Sequence, residues 1–170
     1  AFAMLGRKFL EENEDLKDHA ASKDTDTIPR KLRDSQSVRK RFVHFLRDNG
    51  YATAMVGKWH LGFDGGPNYD YAKSLAGGPL DRGFDSYFGI AHSLDIVPYY
   101  YISGRKAVHA PTAKIGARNT EGWSPIQGEF WRGGQIAPGF KHDEVLPRFT
   151  AESVKYLEGR KGKAQPFFLY

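Results

Sequence analysis

Lys58 and His60 are the residues whose types and spacing best suit chemistry. They stand in the run Gly57-Lys58-Trp59-His60-Leu61-Gly62. Residues 51–56, Tyr-Ala-Thr-Ala-Met-Val, precede them as an apolar, strand-like stretch. In an extended segment, side chains two positions apart share a side. Lys58 and His60 are therefore expected to face one way and Trp59 the other. A compact ammonium beside an imidazole can hold a small oxyanion and move one proton. Gly57, lacking a Cβ, lets the backbone come close to such an anion. The plain alternative is ordinary loop surface after a strand, and spacing alone does not separate the two.

The elements around this run predict how it is positioned. Ser35 or Ser37 can cap a helix in which Val38, Phe42, Phe45 and Leu46 form one stripe, and Asn49-Gly50 supplies a left-handed stop. Helix, tight turn and apolar strand make an αβ unit, which argues for an α/β sheet. Lys58 and His60 would then lie past the strand's carboxyl end, where ligand sites of open α/β sheets gather. The order recurs later. Val145, Leu146, Phe149, Val154 and Leu157 give helical periodicity over residues 142–158, ending at Gly159. A turn at Lys161-Gly162-Lys163 leads to a buried-strand pattern in Pro166-Phe167-Phe168-Leu169-Tyr170. Residues 2–17 place Phe2, Leu5, Phe9 and Leu10 at helical spacing, with Arg7-Lys8 and Glu11-Glu12 on the polar side.

The remaining segments read as connections. Residues 18–34 are polar, with Pro29, and the spacing of Asp24 and Asp26 matches no calcium loop. Gly65-Gly66-Pro67 and Gly77-Gly78-Pro79 mark loops. Phe84, Tyr87, Phe88 and Ile90 read as packing residues. Tyr99, Tyr100 and Tyr101 offer either aromatic faces for a sugar ring or, more commonly, the packed side chains of a strand. Residues 103–140, with Trp123 and Trp131, are loop-rich.

Composition bounds the function classes. The 170 residues are 40% hydrophobic and 26% charged, which suits one globular domain. No apolar run is long enough to span a bilayer. Cysteine is absent, so disulfides and thiolate metal sites are excluded and the redox compartment stays open. The formal net charge of +5 favours anionic ligands. Part of the excess, Arg30, Lys31, Arg33, Arg39, Lys40 and Arg41, lies on and before one helix and reads as a solvated face. No nucleic-acid-binding pattern accompanies it, so no nucleic-acid partner is expected.

Residues 50–62, Gly-Tyr-Ala-Thr-Ala-Met-Val-Gly-Lys-Trp-His-Leu-Gly, closely resemble the second signature of the sulfatase family, within the alkaline-phosphatase-like superfamily. Residues 79–90, with Gly83-Phe84-Asp85 and Phe88-Gly89, are similar to a further sulfatase segment. Residues 1–7 resemble the stretch that directly follows the first signature. The resemblance implies part of an alkaline-phosphatase-like α/β sandwich, a mixed central sheet flanked by helices. It implies a sulfuric ester hydrolase of the formylglycine type, acting on an aryl or carbohydrate sulfate. In it, Lys58 would clamp the sulfate and His60 would serve as hydrogen-bond partner or proton acceptor for the nucleophile. Ser93 would lie beside the sulfate, or be a turn residue; His92 and Asp95 flank it and would reach substrate or pair structurally. His109, before Ala110-Pro111, superficially matches the family's His-x-Pro motif but has the wrong position and is rejected.

The resemblance also implies Ca2+, with ligands expected outside this chain, and a formylglycine expected upstream of residue 1. The chain has no initiating Met and ends inside an apolar run. We therefore expect an internal part of the catalytic domain, inactive and poorly soluble by itself. A periplasmic or secreted setting suits the family; the residues leave the compartment open. Two rivals stand beside this reading: a phosphonate or phosphate monoester hydrolase of the same superfamily, and a non-catalytic module binding sulfated glycans.

Overall fold

The computed structural model describes residues 35–64, 69–122 and 128–170, with Lys8, Glu11 and Glu12. Those three are helical, as expected within residues 2–17; the rest of that helix, the loop over 18–34, Gly65-Gly66-Pro67 and Trp123 lie outside the described residues.

Helix α1 (Ser35–Asp48) leads into strand β1 (Ala52–Lys58). A 3-10 turn, Pro79–Arg82, precedes β2 (Ser86–Ile90), then β3 (Tyr101–Ser103) and β4 (Lys106–Ala107). Four short strands follow: β5 (Ala113–Ile115), β6 (Arg118–Asn119), β7 (Phe130–Trp131) and β8 (Gly134–Ile136). Helix α2 (Val145–Glu158) and β9 (Phe167–Leu169) close the chain.

The central sheet has the order β4-β3-β2-β1-β9. β1 runs parallel to β2, from Ala54 opposite Ser86 to Lys58 opposite Ile90, and parallel to β9. β3 and β4 are antiparallel additions, so the sheet is mixed. The β5–β8 and β6–β7 pairs form two small separate sheets. They give the expected loop-rich region order through pairings that no local periodicity announces.

The two helices cover opposite faces of the sheet. Phe167 and Phe168 are neighbours on β9 and so point to opposite sides. Phe168 meets Phe42 of α1 edge-on at 5.8 Å, while Phe167 meets Tyr156 of α2 at 5.9 Å. α1 buries Phe45 and Leu46 as its stripe predicts, and Val43 besides; the side chains of Val38, Ser35 and Ser37 lie outside the described ones. Gly50, at φ 83°, stops the helix as expected, its amide bonding to the Arg47 carbonyl at 2.9 Å.

Two expectations for the second αβ unit change. α2 turns Val145 and Phe149 inward, but leaves Leu146 72% exposed and Val154 and Leu157 outside as well. Only one narrow stripe of the helix reaches β1 and β2. The helix does end at Gly159 as expected, with right-handed backbone there, and Gly162, at φ 73°, lies in the expected turn. β9 is not fully buried: Phe167 is 40% exposed, and Tyr170 just past the strand 59%. Among the described residues it pairs on one side alone, as the sheet's edge strand.

The segment Gly83-Phe84-Asp85 does more than pack. The Asp85 carboxylate accepts from the Thr53 amide at 2.9 Å, and the Thr53 hydroxyl donates to the Gly83 carbonyl at 2.9 Å. This satisfies the hydroxyl of buried Thr53 and ties β1 to the approach of β2.

Candidate active site

β1 ends at Lys58, opposite Ile90, but the two chains stay together beyond the sheet. The Trp59 amide bonds to the Ile90 carbonyl at 3.0 Å and the His60 amide to the Ala91 carbonyl at 2.9 Å. These bonds hold the 59–60 turn beside residues 90–91. Trp59 is buried, its indole N–H donating to the Gly62 carbonyl at 2.8 Å. Lys58 and His60 are exposed, so the expected division of sides is found. Its origin differs from simple strand alternation, because His60 has left-handed backbone, φ 62°. A Cβ at Gly57 would meet nothing within 4 Å, which leaves the backbone there approachable.

The loop after β2 brings Ser93 to the same place. Lys58 Nζ donates to Ser93 Oγ at 3.2 Å, joining residues far apart in sequence. His92, next to Ser93 in the chain, is half-buried. Burial holds its imidazole below the ordinary value of 6.5, and the neighbouring charge of His60 adds to that. Asp95 is already occupied. Its carboxylate accepts from Arg132 Nη1 at 2.8 Å, and its carbonyl accepts from the same nitrogen at 3.1 Å. This is the paired structural arrangement that the sequence reading set beside substrate contact. His109 is exposed on the turn after β4.

Tyr99, Tyr100 and Tyr101 are 2, 3 and 6% exposed, so they are core and cannot present ring faces to a sugar. Tyr99 stacks on Phe140 at 6.2 Å, and Tyr101 lies against Phe88 at 5.6 Å. Arg132 and His142 emerge only from the structure. His142 lies flat on Trp131 at 4.3 Å with its pKa lowered mainly by burial. No sequence signal marks either: Arg132 sits between β7 and β8, and His142 in the connection before α2.

A cleft of about 210 Å³ lies beside the Lys58–Trp59 turn, its walls largely apolar through Phe42, Met55, Phe84 and Phe168, with Lys58 and Arg82 also on its lining. Lys58 thus borders both this cleft and Ser93. Among the described residues no three His, Asp or Glu side chains gather as a metal ion needs. These residues do not fit a calcium site.

A mixed sheet with helices on both faces, gathering an ammonium, two imidazoles and a hydroxyl past the carboxyl ends of two parallel strands, defines an α/β protein whose strand ends carry groups of the kind that bind oxyanions. The Sulfatase family profile matches residues 17–170, and the chain belongs to the sulfatase family. It is 35% identical over 152 residues to an N-acetylgalactosamine-6-O-sulfatase of Bacteroides thetaiotaomicron, covering 74% of this chain and 29% of that protein. It is 49% identical over 53 residues to mouse arylsulfatase G, covering 30% of this chain and 8% of the relative. The chain thus spans less than a third of these relatives. A solved structure described under the metabolism of multiple glycosaminoglycans by Bacteroides thetaiotaomicron matches with a TM-score of 0.55 at 22% identity, over 75% of this chain and 32% of that one. The fold is of the alkaline-phosphatase-like kind.

Proposed function

We propose that the protein is a sulfuric ester hydrolase and that Lys58, Ser93, His60 and His92 form its sulfate-binding side. The observation that carries this is the Lys58–Ser93 contact at 3.2 Å, made at the carboxyl ends of parallel strands in a chain of the sulfatase family.

The chemistry follows from the groups. Lys58 supplies a compact positive charge for the equatorial sulfate oxygens. Ser93 accepts from Lys58, which leaves the hydroxyl proton free to donate to a second sulfate oxygen. His60 accepts or returns a proton at the nucleophile. His92, kept neutral by burial, adds a hydrogen bond without a competing charge. The formylglycine nucleophile and calcium implied by the family are part of the proposal, held by residues other than those described. A sulfated carbohydrate is the proposed substrate, supported by the relative named for N-acetylgalactosamine 6-O-sulfate.

The test uses the full-length protein with para-nitrophenyl sulfate and para-nitrophenyl phosphate. Sulfate-selective turnover that falls at least about a hundredfold in both Lys58→Ala and His60→Ala is expected. Preference for the phosphate would overturn the proposal in favour of a phosphoester hydrolase. Binding of sulfated glycans without turnover would replace it with a binding module.

A further inference from the structure

We infer that Arg132 is a positioning residue that sets the place of Ser93 by clamping the loop that carries it; this rests on the sulfatase reading above. Three sets of contacts meet on this loop. Arg132 Nη1 bridges the carboxylate and carbonyl of Asp95, at 2.8 and 3.1 Å. The Tyr99 hydroxyl donates to the Arg132 carbonyl at 2.9 Å and accepts from the Arg132 amide at 3.1 Å. The Tyr99 amide bonds to the Gln135 carbonyl at 3.0 Å, and the Ala137 amide returns to the Tyr99 carbonyl at 2.8 Å. Residues 95–99 are thereby laced to residues 132–137 at both ends.

The lacing is tight in the middle also. A Cβ at Gly134 would stand 2.6 Å from the Val97 side chain, so only glycine permits this approach. Within the loop, the Ile96 amide bonds to the Ser93 carbonyl at 3.0 Å, closing a turn next to Asp95. Ser93 thus has one fixed side, through Ile96 and Asp95, and one functional side, toward Lys58. Tyr99 is buried; Arg132 is 57% exposed, and its guanidinium provides the one side-chain bond to Asp95 among the described residues. An exposed ion pair of this kind contributes little to global stability. Its effect is local: it selects one conformation of a short loop, which a catalytic site requires to within a fraction of an ångström.

A double-mutant cycle in the full-length protein tests this, with para-nitrophenyl sulfate as substrate. If Arg132 acts through Ser93, Arg132→Ala lowers kcat/KM about tenfold in the Ser93 background and less than about twofold in the Ser93→Ala background. Arg132→Lys, which keeps a charge but loses the two-acceptor geometry, falls between. Asp95→Asn, isosteric and less disruptive, should show the same non-additivity. Equal losses in both backgrounds, or none in either, overturn the clamp. Amide hydrogen exchange gives a readout independent of turnover. Exchange at Ile96 should accelerate about tenfold in Arg132→Ala while Val56 and Gly89 in the sheet stay unchanged. Unchanged exchange at Ile96 overturns the clamp whatever the activity, whereas no sulfate turnover by the unaltered protein overturns only the proposed function.

Discussion

His60 holds a backbone conformation that few side chains accept. Its φ of 62° turns the chain immediately after Trp59 has entered the core, and so brings His60 back to the surface beside Lys58. Left-handed geometry costs an L-residue on the order of 1–2 kcal/mol, least for Asn, Asp and His and most for β-branched residues. His60→Asn is therefore expected to keep the unfolding free energy within about 0.5 kcal/mol of the unaltered protein. His60→Val is expected to lose about 1–2 kcal/mol. Urea unfolding of both in the full-length protein measures the difference. Equal stability would mean that the turn is not held in this conformation. The imidazole itself was legible in the sequence as a candidate group. Its strained position was not, because the alternation argument assumes a strand that in fact ends at Lys58.

At the scale of elements, the site depends on β1 and β2 lying unusually close. Gly57 and Gly89 are register partners. A Cβ at Gly89 would stand 1.8 Å from the Gly57 carbonyl oxygen and 2.6 Å from the Tyr87 hydroxyl. That hydroxyl lies 3.2 Å from the Gly57 carbonyl and 3.0 Å from the Ile90 carbonyl, so the buried phenol bridges both strand ends. Gly89→Ala must push backbone against backbone, and is expected to cost at least about 3 kcal/mol. It should also weaken the Lys58–Ser93 contact, since Lys58 follows Gly57 directly. A urea midpoint unchanged from the parent protein would show that the strands can separate at no cost. The αβ unit and the strand before Lys58 were readable from periodicity and Gly50. The exposed face of α2 was not: its apolar residues lie all around the helix, and only the sheet beneath decides which of them are covered.

For the whole molecule, the two half-buried imidazoles next to the 93–99 loop set an acid limit. His92 and His142 both have pKa values lowered, chiefly by burial, from an ordinary 6.5. Below that value the unfolded chain binds protons that the folded chain still refuses. Stability therefore falls as pH drops below about 6.5, and is fully present above it. The drop in thermal midpoint between about pH 7.5 and 5.5 should be smaller in His92→Gln and in His142→Gln. An undiminished drop in both would assign the acid limit to other groups. The sequence by itself determined the sulfatase signature, the α/β class and Lys58 and His60 as candidates, because these rest on local residue types and on periodicities within one element. It also brought Ser93 into view through a similar segment. Only the tertiary structure decided that Lys58 reaches Ser93, that Asp95 belongs to Arg132, and that Tyr99, Tyr100 and Tyr101 are core. Those outcomes depend on strand pairing and loop lacing between distant segments, and long-range contacts of that kind leave no periodic trace in the chain that makes them.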